Sequence, residues 1–427
     1  MNAVLKKSKI FGSVEIPVSK SVAHRVMIAS FLAGEDFNFG LSGDDVLATR
    51  NCLFALKKLF DGEADVALLD AGESGSTLRF LLPIVCALGA NAKIDGLGRL
   101  PDRPIGELLD VLRAHGANII GERLPLFVKG DGESCLAKGR LEAGEYVINA
   151  GVSSQYITGL LFALPLLQGD SKIVLEGTLV SKDYVELTLE ILKKFSVSIE
   201  RTDYGFFVKG NQKYVKPQDF ELEGDWSSAA FPLALGLICG EVEACGISAQ
   251  SLQADRAFFD ISKKMGGDIS FSANGCVSKK SSLHGIDFDA SNCPDIVPIL
   301  CVLAGFASGE TVIRGVDRLR QKESDRLTAV QELLGQFGII TEYESNLLTI
   351  CGKGEVFEAE RRDERELTVD GFADHRIAMS GIVAGLAVGG TKVLGVECIN
   401  KSYPSFTRDI AALGANIELT KGENNGI

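Results

Sequence analysis

Six apolar runs recur along the chain, each opened by polar or charged residues and closed by a glycine. They read SKSVAHRVMIASFLAG to Gly34, ESGSTLRFLLPIVCALG to Gly89, SSQYITGLLFALPLLQG to Gly169, GDWSSAAFPLALGLICG to Gly240, CPDIVPILCVLAGFASG to Gly309 and ADHRIAMSGIVAGLAVGG to Gly390. At about 12 to 16 residues they fall short of the roughly 20 that a bilayer span requires. Their apolar positions lie on nearly every side of a helical wheel, which predicts helices buried all round. Between them run amphipathic segments, ELLDVLRAHGANI, LTLEILKKFSVSI, FFDISKKMGGDI, AVQELLGQFGIIT and SFTRDIAALGANI. Each pairs a helical apolar period with a turn residue and a short strand, so these are predicted outer helices with one exposed face. The repeat predicts an α+β fold of six similar units, each with a buried helix, a surface helix and several short strands. The tail after Leu419 reads as frayed.

Composition narrows the class. The 427 residues suit two or three compact units, and 46% hydrophobic with 24% charged residues is ordinary for a folded soluble protein. A net charge of −13 repels nucleic acid and anionic membranes, so neither is expected as a partner, and an anionic ligand needs a local basic island. The ten cysteines are scattered singly, with no C-x-x-C pair, which reads as reduced thiols of a cytoplasmic protein. No metal and no cofactor is expected. Met1-Asn-Ala-Val-Leu-Lys-Lys-Ser lacks the apolar run of a secretory signal.

Chemistry-bearing residues cluster where the apolar runs begin: Ser19, Lys20 and Ser21; Ser74, Gly75 and Ser76; Ser153, Ser154 and Gln155; Ser227 and Ser228; Asp295; Asp374, His375 and Arg376. A helix start offers unpaired N–H donors and a partial positive charge that attract anions. Ser and Asp are also favoured there as plain caps. Basic residues recur beside these motifs, at Lys20, Arg25, Arg79, Arg103, Lys322, Arg326, Arg376 and Lys401, more than chance scatter over a solvated surface suggests. In RLRQKESDRL, Lys322 and Arg326 stand four apart and are expected to share a helix face, with a salt-bridged surface helix as the competing reading. Asp295 reads equally as a cap, and His375 better as a core histidine than as a ligand.

The ordered motifs SKSVAHR, ESGSTLR, DRPIG, SSQYIT, LVSKDY, EGDWSSA, Pro294-Asp295, RQKESDRL, DHRIAM and NKSYPSF span nearly the whole chain. In this order they resemble the 5-enolpyruvylshikimate-3-phosphate synthase family of enolpyruvyl transferases. The resemblance implies two similar domains, each of three βαβαββ repeats around buried parallel helices, an inside-out α/β barrel. It implies domains at 19–223 and at 1–18 with 224–427, with an active site in the cleft between them, and a monomer. The first domain would serve mainly shikimate-3-phosphate and the second would contribute the phosphoenolpyruvate clamp.

By the same resemblance, Ser21, Arg25, Ser153, Ser154, Ser181, Asp295 and Lys322 contact shikimate-3-phosphate. Lys20, Gly75, Arg103, Gln155, Arg326, Arg376 and Lys401 contact phosphoenolpyruvate. The residue types suit the ligands, because Arg forks and Lys point charges match carboxylate and phosphate. The implied reaction adds the 5-hydroxyl of shikimate-3-phosphate to C2 of phosphoenolpyruvate, protonates C3 and expels phosphate, in the shikimate pathway of aromatic amino acid biosynthesis. Asp295, helped by Lys20, is the expected base for the hydroxyl and later for C3, and Glu323 the expected acid that protonates C3. Anions are expected to draw the domains closed, and glyphosate to bind beside Gly75. Three positions depart from the family pattern: Glu73 for a usual Asn, Val18 for a Gly, and Arg318 for an Asn. An enolpyruvyl transferase acting on UDP-N-acetylglucosamine is the nearest rival, but its loop cysteine has no counterpart in GLGRLPDRP. A six-repeat ring clamp would need basic helices facing DNA, where these are apolar.

Overall fold

The computed structural model describes residues 1–130, 140–218, 220, 222–354 and 366–421. Cys135 and the end of the chain from residue 422 lie outside the described residues. The chain forms two units, one of Lys20–Leu222 and one of Met1–Ser19 with Glu223–Ile427.

All six apolar runs are helices: Lys20–Leu32, Gly75–Leu88 and Ser154–Ala163 in the first unit, and Trp226–Cys239, Val297–Phe306 and His375–Val388 in the second. Burial reaches every side, as the all-round apolar pattern requires; in Trp226–Cys239 only the last residue is not fully buried. Pro83 and Pro232 sit inside two of these helices without ending them. The five amphipathic segments form Gly106–Ala114, Lys182–Lys194, Ala257–Lys264, Arg326–Gln336 and Phe406–Ala412. A sixth outer helix, Asp44–Phe60, was not among the predicted segments.

Five four-stranded sheets share one pattern, in which a parallel pair is followed by two antiparallel neighbours. Ala67–Asp70 runs parallel to Ala92–Asp95, which pairs antiparallel with Leu126–Val128, and that strand pairs antiparallel with Ile119–Ile120. The sheet of Glu145–Asn149, Ser171–Glu176, Gly205–Val208 and Ile199–Thr202 repeats it. The other three sheets lie in the second unit, and two of them are completed by the start of the chain. Asn2–Lys6 sits between Thr391–Leu394 and Asn416–Thr420, and Ile10–Glu15 lies parallel to Gly240–Cys245. The repeat that begins at Lys20 has its two helices but no named strand among the described residues. The fold is therefore mixed α+β, built from repeated sheets on buried helices.

In the second unit the three buried helices pack on one another, and in the first Gly75–Leu88 packs against Ser154–Ala163. A glycine sets that last distance. A Cβ at Gly159 would lie 2.4 Å from the Arg79 carbonyl oxygen and 3.0 Å from Pro83 Cγ. Gly159→Ala should therefore destabilise the protein by about 1–3 kcal/mol, because the helices must move apart to admit one methyl. Gly335, in Arg326–Gln336, has nothing within 4 Å of its Cβ position. There the same change should stabilise by about 0.5–1 kcal/mol through the unfolded chain. Urea unfolding of both variants measures the contrast, and equal effects would refute the close-approach argument.

Candidate active site

In the Lys20–Leu222 unit, the starts of the buried helices carry cations held by neutral groups. Arg25 is buried in Lys20–Leu32 and donates from Nε to Thr188 Oγ1 at 2.8 Å, from Nη1 to the Ser21 carbonyl at 2.7 Å, and from Nη2 to the Tyr184 carbonyl at 3.1 Å. Its guanidinium also lies over the Phe80 ring, 5.0 Å from the centroid. None of these partners is charged. Burial pushes the guanidinium down to about 10, which corresponds to about 3 kcal/mol against the charged form. Ser181 stands nearby in sequence, buried in a left-handed conformation (φ 52°) at the start of Lys182–Lys194, the helix that carries Tyr184 and Thr188.

A second group surrounds the start of Gly75–Leu88. A Cβ on Gly75 would meet Arg103 Nη1 at 2.8 Å and Arg79 Nη1 at 3.0 Å, so only glycine lets both guanidiniums come this close to the helix start. Arg79 donates to Gln155 Oε1 at 2.7 Å and to the Pro104 carbonyl at 2.9 Å, and Gln155 Nε2 donates to Ser76 Oγ at 3.0 Å. Ser153 caps its helix by accepting from the Gln155 N–H, and Ser154 is buried beside it. Among the described residues Arg103 makes no ion pair, and its Nε is buried without a hydrogen bond. Lys20 does have a counter-charge, with Nζ 2.9 Å from Asp45 Oδ2. Beneath these groups a line of buried bonds ties three helices together. His24 Nδ1 lies 2.7 Å from Thr49 Oγ1, which lies 2.6 Å from Thr77 Oγ1, which donates to Ser74 Oγ at 2.8 Å.

The second unit holds its cations differently. Arg326, fully buried, is bonded by three carboxylates: Asp374 at Nε (2.8 Å), Asp295 at Nη1 (2.7 Å) and Glu323 at Nη2 (2.7 Å). Burial opposes its charge, but Asp374, Glu323 and Asp295 outweigh it and push the guanidinium up. Lys322 Nζ shares Asp295 Oδ1 at 3.3 Å. Burial pushes Lys322 down, and Asp295 opposes the shift. Asp374 also caps His375–Val388 by accepting from the Arg376 N–H and takes a bond from the Ser324 hydroxyl. Lys401 Nζ donates to the Ala373 carbonyl at 2.9 Å, and Arg376 Nη1 reaches the Ser227 carbonyl at 3.4 Å.

Lys322 and Arg326 do not share a helix face. A short 3-10 turn covers Asp317–Gln321, Lys322 is extended, and the helix starts only at Arg326 because the Asp325 side chain accepts from the Thr328 N–H. The two cations meet through Asp295 instead. Asp295 is not a cap, since Val297–Phe306 begins two residues later with Ile296 at the capping position. His375 is buried at the helix start, as a core histidine would be, with Nδ1 3.9 Å from Asp374 Oδ1.

In one unit Arg25 is bonded to the Ser21 carbonyl and to the helix that begins after Ser181, while Gly75, Arg79, Arg103 and Gln155 meet at a second helix start; in the other unit Asp295, Lys322, Glu323 and Arg326 are bonded together, with Arg376 and Lys401 bonded to Asp374 and Ala373 beside them. The model of the EPSP synthase (3-phosphoshikimate 1-carboxyvinyltransferase) family matches residues 4–410. The chain belongs to the EPSP synthase family. It is similar to the 3-phosphoshikimate 1-carboxyvinyltransferase of Clostridium acetobutylicum, 39% identical over 96% of this chain and 97% of that one. The enzyme of the same name from Aeromonas salmonicida is 34% identical over 95% and 97%. In fold, the chain resembles the EPSP synthase of Acinetobacter baumannii, with a TM-score of 0.76 at 24% identity, covering 98% of this chain and 99% of that one. It also resembles the enolpyruvyl transferase NikO of Streptomyces tendae, with a TM-score of 0.70 at 16% identity and 98% of each chain covered. No helix among the described residues is long and apolar enough to cross a membrane.

Within this family assignment, two departures from the usual pattern have a place in the structure. The Glu73 carboxyl packs against Gly98, whose Cβ would lie 2.7 Å from Glu73 Cδ. Arg318 stands in the turn before Lys322, and its charge adds to the downward push on that lysine. Residues that sequence reasoning left without a role are Asp45, Arg79, Ser324 and Asp374. Only Arg79 and Asp374 had a signal, as a cation and a helix start within the motifs.

Arg326→Ala should cost about 3–5 kcal/mol of stability, because it leaves Asp295, Glu323 and Asp374 facing one another without their shared cation. Urea unfolding measures it, and an unchanged midpoint would mean the carboxylates are solvated. His24 gives a pH dependence. Burial, then Lys20 and Arg25, hold its imidazole well below 6.5, so the unfolded chain binds the extra proton and stability falls as pH drops below 6.5. Between pH 6.5 and 5.5 the wild type should lose about 1 kcal/mol more than His24→Gln. Parallel stability curves for the two proteins would contradict this.

Proposed function

We propose that the cationic helix starts of the two units hold phosphoenolpyruvate and shikimate-3-phosphate for enolpyruvyl transfer. The chain transfers the enolpyruvyl group of phosphoenolpyruvate to the 5-hydroxyl of shikimate-3-phosphate and releases phosphate, a step of the shikimate pathway. One observation carries the assignment of residues. In a chain with 57 acidic against 44 basic residues, the guanidiniums of Arg25 and Arg103 make no ion pair with any described residue. A buried or half-buried cation kept without a carboxylate is costly unless an anion completes it.

On this reading Ser21, Arg25, Ser153, Ser154, Ser181, Asp295 and Lys322 take shikimate-3-phosphate, whose phosphate suits the neutral cradle around Arg25. Lys20, Gly75, Arg103, Gln155, Arg326, Arg376 and Lys401 take phosphoenolpyruvate, with planar guanidiniums for its carboxylate and phosphate. Asp295, helped by Lys20, accepts the proton of the attacking hydroxyl. Glu323 donates a proton to C3; in the elimination Asp295, having passed the hydroxyl proton to the departing phosphate, takes a proton from C3 so that the double bond returns, and the cations stabilise the charge that develops on phosphate. The nine described cysteines are free thiols, which supports a reducing compartment such as the cytoplasm.

Purified protein given both substrates should release inorganic phosphate, with glyphosate competing against phosphoenolpyruvate. Glu323→Ala should lower turnover by about 10²-fold or more with little change in substrate binding. No phosphate from the wild type would refute the function, and wild-type turnover in the variant would remove Glu323 from the chemistry.

A further inference from the structure

Arg326 and Arg376 belong to one cluster but meet their counter-charges in opposite ways. Arg326 spends its N–H groups on three carboxylates. Among the described residues Arg376, equally buried, makes no ion pair, and its Nε has no hydrogen bond. Its guanidinium makes one long hydrogen bond among them, from Nη1 to the Ser227 carbonyl. Even so, its charge is sustained. Burial opposes it, but Asp295, then Asp255, outweigh burial and push the guanidinium up.

Asp255 lies in the turn Ala254–Arg256 and is buried, outside every motif that suggested a role. The Ser227 hydroxyl donates to Asp255 Oδ2. Ser227 thus carries Asp255 on its side chain and Arg376 on its carbonyl, at the first turn of Trp226–Cys239. Asp225 fixes that turn independently by accepting from the Ser228 N–H at 3.1 Å and the Ser228 hydroxyl at 2.6 Å.

We propose that Asp255 is a positioning residue for phosphoenolpyruvate binding: through the Ser227 hydroxyl it fixes the carbonyl that orients Arg376, and it supplies a negative charge that keeps Arg376 buried without consuming the N–H groups an anion needs. A carboxylate bonded directly to Arg376 would sustain the charge equally well and compete with the substrate, as a bound chloride or acetate would. One held behind a serine sustains it without competing. Burial, then the Asp295 charge, push Asp255 up to about 6, with Arg376 opposing, so this carboxylate is itself held in place at some cost. The inference rests on the proposed role of Arg376 as a phosphoenolpyruvate contact.

Two variants separate the parts of the arrangement. Asp255→Asn removes the charge and keeps an acceptor for the Ser227 hydroxyl, whereas Ser227→Ala removes the bond and keeps the charge. Phosphate release is measured with each substrate varied in turn, beside urea unfolding. Asp255→Asn should raise KM for phosphoenolpyruvate about tenfold and Ser227→Ala about threefold, with kcat and KM for shikimate-3-phosphate within about twofold of wild type. An unchanged KM for phosphoenolpyruvate in either folded variant overturns the proposal, as does a fall in kcat alone, which marks a smaller folded fraction. If Asp255→Asn does not fold, Ser227→Ala decides by itself. Absence of phosphate release from the wild type in the same assay would count against the enzymatic reading rather than against Asp255.

Discussion

A guanidinium taken out of water has to be answered by something close to it, and the helix starts of this chain give two kinds of answer. Around Arg326 three carboxylates close on separate nitrogens, and the pair energies outweigh burial. Around Arg25 the partners are a threonine hydroxyl, two backbone carbonyls and an aromatic face, and burial wins. The first arrangement is complete as it stands. The second leaves a charge that a bound anion can finish, and the functional reading follows from that difference more than from the number of basic residues.

The architecture makes such starts unavoidable. A helix buried on every side has no solvent-facing stripe, so its only polar surface is at its ends, and the first turn brings unpaired N–H groups with it. Packing several such helices together puts their starts next to one another. Small residues and hydroxyls then decide how close they come: Gly159 admits the Arg79 carbonyl, and the bonds from His24 through Thr49 and Thr77 to Ser74 pin three helices at one level. Gly75 does the same for two guanidiniums by leaving room for Arg103 and Arg79.

Much of this was legible in the sequence because it depends on local pattern. An apolar run without a polar stripe can only be a buried helix, and all six were. The helix Asp44–Phe60 escaped notice because Thr49, Arg50 and Asn51 interrupt its apolar positions Val46, Cys52, Leu53 and Leu56. The expected helix face of Lys322 and Arg326 failed for a local reason as well, since Asp325 caps the helix between them. What spacing could not give was the partnership of Arg326. Asp295 and Asp374 lie 31 and 48 residues away along the chain, and only the folding of separate repeats brings them to one guanidinium.

That shared guanidinium also couples the two carboxyls assigned to acid–base work. Asp295 and Glu323 bond different nitrogens of Arg326, so each feels the other's charge through a common neighbour. In the proposed reaction Asp295 becomes neutral on taking the hydroxyl proton, and the repulsion that opposed a negative charge on Glu323 falls while Arg326 remains, which favours the proton transfer proposed from Glu323 to C3. On those roles, proton uptake at one carboxyl favours proton release at the other. Lys322, bonded to the same oxygen of Asp295 as Arg326, places a second cation there and favours the ionised carboxylate.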